Sequence, residues 1–115
     1  MNDVHDDAEI ACVFCKIIVG RLPADIVYKD DWAVIVRDRE PKAATHLIAI
    51  TCQHVLHVNE ASAVMLFGAL QCVRDYAKKH LPNGYRVVIN TGDDAGQTVK
   101  HLHIHILGGE KLKDF

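Results

Sequence analysis

Several features that would direct the chain to a membrane, to nucleic acid or to export are missing from its sequence. No apolar run approaches the ~20 residues that a membrane-spanning helix needs. Lys and Arg number 13 against 15 Asp and Glu, which gives a formal charge of −2. This balance does not support binding of nucleic acid through net positive charge. The first ten residues are acidic, unlike a secretory or organellar targeting segment. We therefore expect a cytoplasmic protein.

The composition is that of an ordinary soluble globular protein. Half of the 115 residues are apolar and 24% are charged, which excludes a disordered or fibrous chain. A chain of this length has room for one domain with one core. We expect residues 1–11 to form a flexible acidic tail and residues 12–115 to form a single domain.

The hydrophobic pattern predicts an α+β domain. Five short strands are predicted at residues 26–28, 32–37, 45–51, 85–90 and 101–107. Strands that are adjacent in the sequence, with one crossover helix between the third and the fourth, favour a largely antiparallel sheet.

Two helices accompany the predicted strands. A short helix that contains Phe14 is expected to end near Gly20, and a long one is expected to begin after the N-cap Asn59 and to end at Pro82. The long helix is expected to bury one apolar stripe, made of Ala63, Phe67, Leu70, Val73, Ala77 and Leu81.

Four cysteines divide into two kinds. Cys52 and Cys72 are expected to be reduced packing residues, because a chain with a normal apolar core and no export signal does not need disulfides. Cys12 and Cys15 form a CxxC pair, whose two thiolates can bind one cation and supply half of a tetrahedral site. The same spacing also fits two unrelated cysteines at the start of a helix, so both readings remain open. A redox motif is less favoured, because no suitable strand precedes the pair.

Three histidines alternate with apolar residues in the last predicted strand. The period of a strand places His101, His103 and His105 on one face, with backbones roughly 6.5 Å apart. Three interpretations compete: a half-exposed strand that happens to carry histidine, a metal site, or an imidazole nucleophile flanked by two phosphate-binding imidazoles. The loop at residues 92–98 carries two glycines and amide and hydroxyl donors, which suit phosphate oxygens and favour the third interpretation.

With this loop and this strand, the sequence resembles the histidine triad (HIT) family, whose signature is His-φ-His-φ-His-φ-φ with φ apolar. Every position from His101 to Leu107 matches, and the resemblance extends from about Cys12 to Gly109. The short ending after Leu107 is similar to the Hint branch, which hydrolyses nucleoside phosphoramidates. Residues 97–100 are similar to the Fhit branch, which cleaves dinucleoside polyphosphates. On balance we place the chain with the Hint branch.

The resemblance implies a role for each matching residue. His103 would be the nucleophile toward the α-phosphorus, oriented by the backbone carbonyl of His101, and His105 would bind a phosphoryl oxygen. Gln97 and Thr98 would contact the phosphate and the leaving group. The other implied substrate contacts are Asp38 to the ribose hydroxyls, and Asn90 and Gly96 around the phosphate.

The resemblance also implies a structural zinc ion and a homodimer. Cys12, Cys15, His46 and His101 match the four ligands that many bacterial members use, a closed Cys₂His₂ set that leaves no coordination position for catalysis. His54 matches a further family histidine, although the usual residues before it are missing. Family members form homodimers whose sheets join across a two-fold axis, and the long helix carries enough apolar residues to serve there.

The expected function is hydrolysis of the P–N bond of purine nucleoside 5′-phosphoramidates through a covalent nucleotidyl-histidine, with no catalytic cofactor and an AMP-like substrate. The alternatives are a dinucleoside polyphosphate hydrolase or nucleotidyltransferase with the same intermediate, and a non-enzymatic nucleotide-binding regulator. Arg39 stands where the Hint branch carries an apolar residue beside the base, and the aromatic- and proline-containing tail of that branch is missing. Both departures bear on base and leaving-group preference.

Overall fold

The structure is a computed structural model that describes residues 11–115, so most of the predicted acidic tail lies outside the described residues. Within this range the chain forms helix α1 at Val13–Ile18 and helix α2 at Ala63–His80. The strands are β1 at Ile26–Lys29, β2 at Ala33–Arg37, β3 at Thr45–Thr51, β4 at Tyr85–Val88 and β5 at His103–Gly108. Neither helix is long and apolar enough to cross a membrane.

The five strands form one antiparallel sheet in the order β1-β2-β3-β5-β4, which confirms the predicted α+β class. Strands β3 and β5 lie at its centre, and their apolar residues Leu47, Ile104 and Ile106 are almost wholly buried. Their register places Ile50 opposite His103 and Ile48 opposite His105. This pairing decides which end of β3 each histidine of β5 meets.

Helix α2 packs on the sheet through small residues, and the predicted stripe is wrong in its N-terminal half. Phe67 and Leu70 are 66% and 42% exposed, and Ala63 is exposed as well. At Gly68 an added Cβ would lie 2.2 Å from the Trp32 ring, so the helix approaches the sheet too closely for a larger residue there. The buried residues of the helix are Met65, Gly68, Ala69, Cys72, Val73 and Ala77.

Two predicted element boundaries are also corrected. Ser62, not Asn59, caps α2, because its hydroxyl accepts a hydrogen bond from the Met65 amide at 3.1 Å. Strand β5 begins at His103, so His101 precedes it and only two triad histidines lie on the strand. His101 is fully buried, whereas the predicted alternation had placed its ring on the same strand face as the rings of His103 and His105.

Candidate functional site

The geometry around His103 leaves one ring nitrogen with a free lone pair. Its Nδ1 lies 2.7 Å from the carbonyl oxygen of His101, and because a carbonyl only accepts, Nδ1 carries the proton and donates. The Nε2 atom is therefore unprotonated in the neutral ring. Burial lowers the pKa of His103 below its ordinary value, against an opposing effect of the His101 carbonyl, and so favours the neutral form. A neutral imidazole of defined tautomer is what nucleophilic attack requires.

A second chain of hydrogen bonds sets the opposite tautomer on His105. The backbone amide of Lys42 donates to Nδ1 of His46 at 3.0 Å, so the proton of His46 lies on Nε2. This Nε2 is 2.9 Å from Nδ1 of His105, which must then accept. The neutral His105 ring consequently carries its proton on Nε2, as a donor for an oxygen in the adjoining cavity. The two strand histidines thus present one lone pair and one N–H.

His105 resists protonation. Its pKa is lowered to about 4, first by burial and then by the neighbouring imidazoles of His103 and His46. Burial also lowers the pKa of His46, although the nearby carboxylate of Asp38 opposes the change. The three imidazoles are therefore neutral together near pH 7.

The Asp38 carboxylate lies against His46 and near His103 and His105 (the histidine pair) rather than free in solvent. One carboxylate oxygen is 3.3 Å from Nε2 of His46, and the other accepts a hydrogen bond from the amide of Glu40 at 2.7 Å. Its side chain is 15% exposed and lines a cavity of about 640 Å³. The other walls of this cavity are largely apolar and include Phe14, Ile17, Leu22, Val36 and Ile48.

The glycine-bearing loop wraps the other side of the histidine pair. Gly92 and Gly96 both have positive φ, near +84° and +80°, which side chains rarely adopt. The Asn90 amide nitrogen donates to the Ala95 carbonyl at 2.8 Å and closes the loop. Asn90, Gly96 and Thr98 line the same cavity as His105.

Gln97 departs from its expected contact with phosphate. Its side-chain nitrogen donates to the carbonyls of Leu56 and Val99 at 2.6 and 3.1 Å, and its side-chain oxygen accepts from the Gly92 amide at 2.9 Å. The residue is 4% exposed. Both protons of the amide are in use, so its side chain holds the loop in place instead of facing the cavity.

A separate cluster gathers Cys12, Cys15, His54 and His101, whose ligand atoms all lie within 4.8 Å of one another. The predicted ligand His46 is not among them, which corrects the set derived from the resemblance. The reason is the register: His46 lies opposite Leu107, at the far end of β5 from His101, whereas His54 follows the end of β3 that meets His101. His46 instead forms a group with Asp38 and His105.

The donor atoms of this Cys/His cluster fit a tetrahedral cation. Nδ1 of His101 is 3.3 and 3.5 Å from the two sulfurs and 3.1 Å from Nδ1 of His54. Zinc bonds of 2.0–2.3 Å would set such separations at about 3.3–3.8 Å. Nε2 of His101 donates to the Thr51 carbonyl at 2.8 Å, which turns the Nδ1 lone pair toward the sulfurs. The cluster can therefore hold a metal ion.

Helix α1 connects the Cys/His cluster with the nucleophile. Phe14 lies between the two cysteines and is 8% exposed. Its ring packs edge-on against the rings of His101 and His103, with centroids 5.9 and 4.9 Å apart. Whatever fixes the cysteines also fixes a wall of the His103 site.

The chain belongs to the histidine triad family, because the HIT domain model matches residues 19–112. An uncharacterised HIT-like protein of Synechococcus elongatus is 46% identical over an alignment of 104 residues that covers 87% of this chain and 91% of that protein. The fold and the alternating histidines thus agree with the family that the sequence resembles.

Solved structures of the same family match about nine tenths of the chain. A histidine triad protein from Clostridium difficile has a TM-score of 0.84 and 35% identity, covering 90% of this chain and 95% of its own. A HIT family hydrolase from Legionella pneumophila has a TM-score of 0.83 and 34% identity, covering 89% and 96%. A zinc-bound histidine triad family protein from Mycobacterium smegmatis has a TM-score of 0.77 and 30% identity, covering 91% and 81%.

The pKa of His105 predicts a loss of stability in acid. The unfolded histidine takes up a proton near pH 6.5, whereas the folded one resists until about pH 4, so unfolding is favoured as the pH falls through that window. The free energy of unfolding can fall by at most about 1.4 kcal/mol per pH unit from this one histidine. Solvent reduces the loss, because the ring is only half-buried. Urea unfolding at pH 7 and pH 5 should show a smaller loss for His105→Gln than for wild type. Equal losses in the two proteins would contradict the assigned shift.

Proposed function

We propose that the protein hydrolyses the P–N bond of purine nucleoside 5′-phosphoramidates through a covalent nucleotidyl-His103 intermediate. The observation that carries this proposal is the 2.7 Å hydrogen bond from Nδ1 of His103 to the His101 carbonyl, which leaves Nε2 as a buried, neutral nucleophile. Membership of a family that includes a named hydrolase supports a hydrolytic reaction.

In the first step Nε2 of His103 bonds to the α-phosphorus and the P–N bond breaks. The leaving amine takes up a proton from water, since the neutral His105 has none to spare without becoming an anion. The ring of His103 becomes a cation, and its Nδ1–H remains bonded to the His101 carbonyl, which stabilises that charge. The Nε2–H of His105 donates to a phosphoryl oxygen as negative charge gathers there.

In the second step water bonds to phosphorus and the N–P bond to His103 breaks. The water loses a proton, which balances the one that the amine took up, and the nucleoside monophosphate leaves. The apolar cavity beside Asp38 suits the base, and the Asp38 carboxylate at its edge suits the ribose hydroxyls. No step in this scheme needs a metal.

Two alternatives use the same residues. A dinucleoside polyphosphate hydrolase or nucleotidyltransferase would form the same nucleotidyl-His103 and differ only in the leaving group or the acceptor. A non-enzymatic nucleotide-binding regulator would need the cavities but not the His103 lone pair. Full biological effect of a His103→Ala variant would favour the regulator.

The first test removes the nucleophile. His103→Ala should lower kcat on an adenosine 5′-phosphoramidate by several orders of magnitude, because the intermediate cannot form. His105→Ala should cost on the order of a hundredfold, the usual effect of losing a donor that stabilises developing charge. Steady-state kinetics on folded, thermally characterised variants gives the measurement.

His80→Ala is the matched control for these histidine variants. His80 is exposed at the end of α2 and stacks on Tyr76, away from both cavities beside the histidine pair. Its removal should leave kcat unchanged within about twofold. If His103→Ala retained a tenth of wild-type kcat, the covalent mechanism would have to be abandoned.

We further propose that the Cys/His cluster binds a structural zinc ion. Cys12, Cys15, His54 and His101 complete a closed tetrahedral set, and zinc in the mycobacterial relative makes this metal the first to test. The ion would tie α1 to the start of β5 and to the loop after β3. Its contribution would be to stability and to the position of Phe14.

Metal analysis and chelation test the zinc. Protein purified without added metal should hold one zinc per chain, and chelation should lower Tm while kcat of the remaining folded protein changes little. Cys15→Ser and His54→Ala should both lose the metal, whereas Cys52→Ser and His46→Ala should keep it, since neither residue belongs to the cluster. Zinc well below one per chain, with Cys15→Ser melting as wild type does, would refute the site.

We also propose that two chains associate through the outer face of α2. Val64, Phe67 and Leu70 expose 64%, 66% and 42% of their surface on that face, an apolar patch that a second copy would cover. Phe67→Glu should raise the dimer dissociation constant at least a hundredfold in sedimentation experiments, while Lys79→Glu, at an exposed position about 120° around the same helix, should not. A wild-type chain that is monomeric at micromolar concentration would exclude this interface.

A further inference from the structure

Two cavities of equal volume, one with largely apolar walls and one bordered by cationic side chains, adjoin the histidine pair. Each has a volume of about 640 Å³. The first is the cavity that contains Asp38; its walls are largely apolar, and its charged side chains, from Asp25, Arg37, Asp38 and Arg39, sum to zero. The second contains His105 and Thr98 and is bordered by four cationic side chains, from Lys42, Arg86, Lys111 and Lys113. A substrate whose phosphorus lies at the histidines would extend into both.

The four cations reach the second cavity from separate parts of the chain. Lys42 precedes β3, Arg86 lies on β4, and Lys111 and Lys113 follow β5. Within residues 11–115 none of them forms an ion pair with a carboxylate, whereas Lys100 is paired with Asp93 just outside. Their charge is therefore available to a ligand.

Two carboxylates, from Glu110 and Asp114, also line this cavity, so with the four cations its charged side chains sum to +2. Glu110 is committed to the backbone, since its oxygen accepts from the Ala44 amide at 2.7 Å, and Asp114 is exposed near the chain end. The Arg86 guanidinium lies 5.8 Å from the centroid of the Phe115 ring, so it keeps its charge and its planar donor face. Converging like charges in a concave site raise the local concentration of anions.

We infer that this cationic cavity holds the leaving group and selects leaving groups that carry negative charge, as a carboxylate or as further phosphate. The inference rests on the proposed function, because it assumes that the nucleoside occupies the apolar cavity. An amine that carries a carboxylate would leave by breakage of its P–N bond, and its nitrogen would take up a proton from water. A phosphate chain would leave by breakage of the Pα–O bond as an anion that needs no proton, and in both cases His103 forms the new bond to phosphorus.

The substrate test varies only the charge of the leaving group. Adenosine 5′-phosphoramidates of glutamate, of glutamine amide and of lysine amide offer anionic, neutral and cationic amines of similar size. A diadenosine polyphosphate supplies the phosphate alternative. We expect kcat/KM for the glutamate compound to exceed that for the lysine amide compound about tenfold at low salt, with the ratio falling as salt rises. Comparison of the glutamate compound with the polyphosphate decides between the two anionic sources.

Variants of the cavity cations locate the effect. Arg86→Gln and Lys111→Gln should each lower kcat/KM for the anionic substrates about three- to tenfold and leave the neutral substrate within about twofold. Lys78→Gln is the control, because Lys78 is exposed on α2 and lines neither cavity. Equal turnover of all three amines by wild type, or a preference for the cationic one, would overturn the inference and leave the proposed function intact.

A binding measurement keeps the inference testable without turnover. His103→Ala protein should bind ATP more tightly than AMP, because the extra phosphates reach the cationic cavity, and Arg86→Gln added to it should remove most of that difference. Titration calorimetry at two salt concentrations provides the affinities. Absence of turnover with every substrate by folded wild type would refute the proposed function, whereas equal affinities for ATP and AMP would refute the anionic leaving-group site alone.

Discussion

The buried residue His101 is the point on which the site depends. Its carbonyl orients His103, its Nε2 is bonded to the Thr51 carbonyl at the end of β3, and its Nδ1 faces the two cysteines. These three contacts use different atoms, so one residue can serve nucleophile, sheet and Cys/His cluster at once. It lies just before β5, where the chain leaves the regular ladder and its carbonyl becomes available to a side chain two residues on.

Sequence patterns located the sheet well because its central strands are buried. The unbroken apolar run in β3 has the bounds that were predicted, residues 45–51. The buried face of α2 was predicted less well, because a hydrophobic pattern gives most weight to large apolar residues. The helix instead buries Gly68 and Ala69 and exposes Phe67. Close approach to the Trp32 ring, a tertiary constraint, decides which face turns inward.

The histidines of the site show the same limit. The motif pointed to His101, His103 and His105, but His46 lies in β3 and His54 follows it, and neither spacing nor composition shows which of the two is a ligand. Strand register does: in the antiparallel pair His46 lies opposite Leu107, six residues beyond His101 and therefore about 20 Å along the strand. The role of Gln97 could not be predicted either. Its side-chain amide donates to the carbonyls of Leu56 and Val99, which only the folded backbone brings together.

Lys42 contributes both to the tautomers of the site histidines and to the charge of the cationic cavity. Its backbone amide sets the tautomer of His46 and, through it, the N–H that His105 presents. Its charge adds to burial in lowering the pKa of both imidazoles, which keeps them neutral in a site that attracts anions. A bound anion would otherwise favour the imidazolium form of His46 and His105 and upset the tautomers assigned to them. A cation that binds a negative leaving group therefore also opposes protonation of His105, so the cavity can accept that group while the neighbouring ring stays neutral.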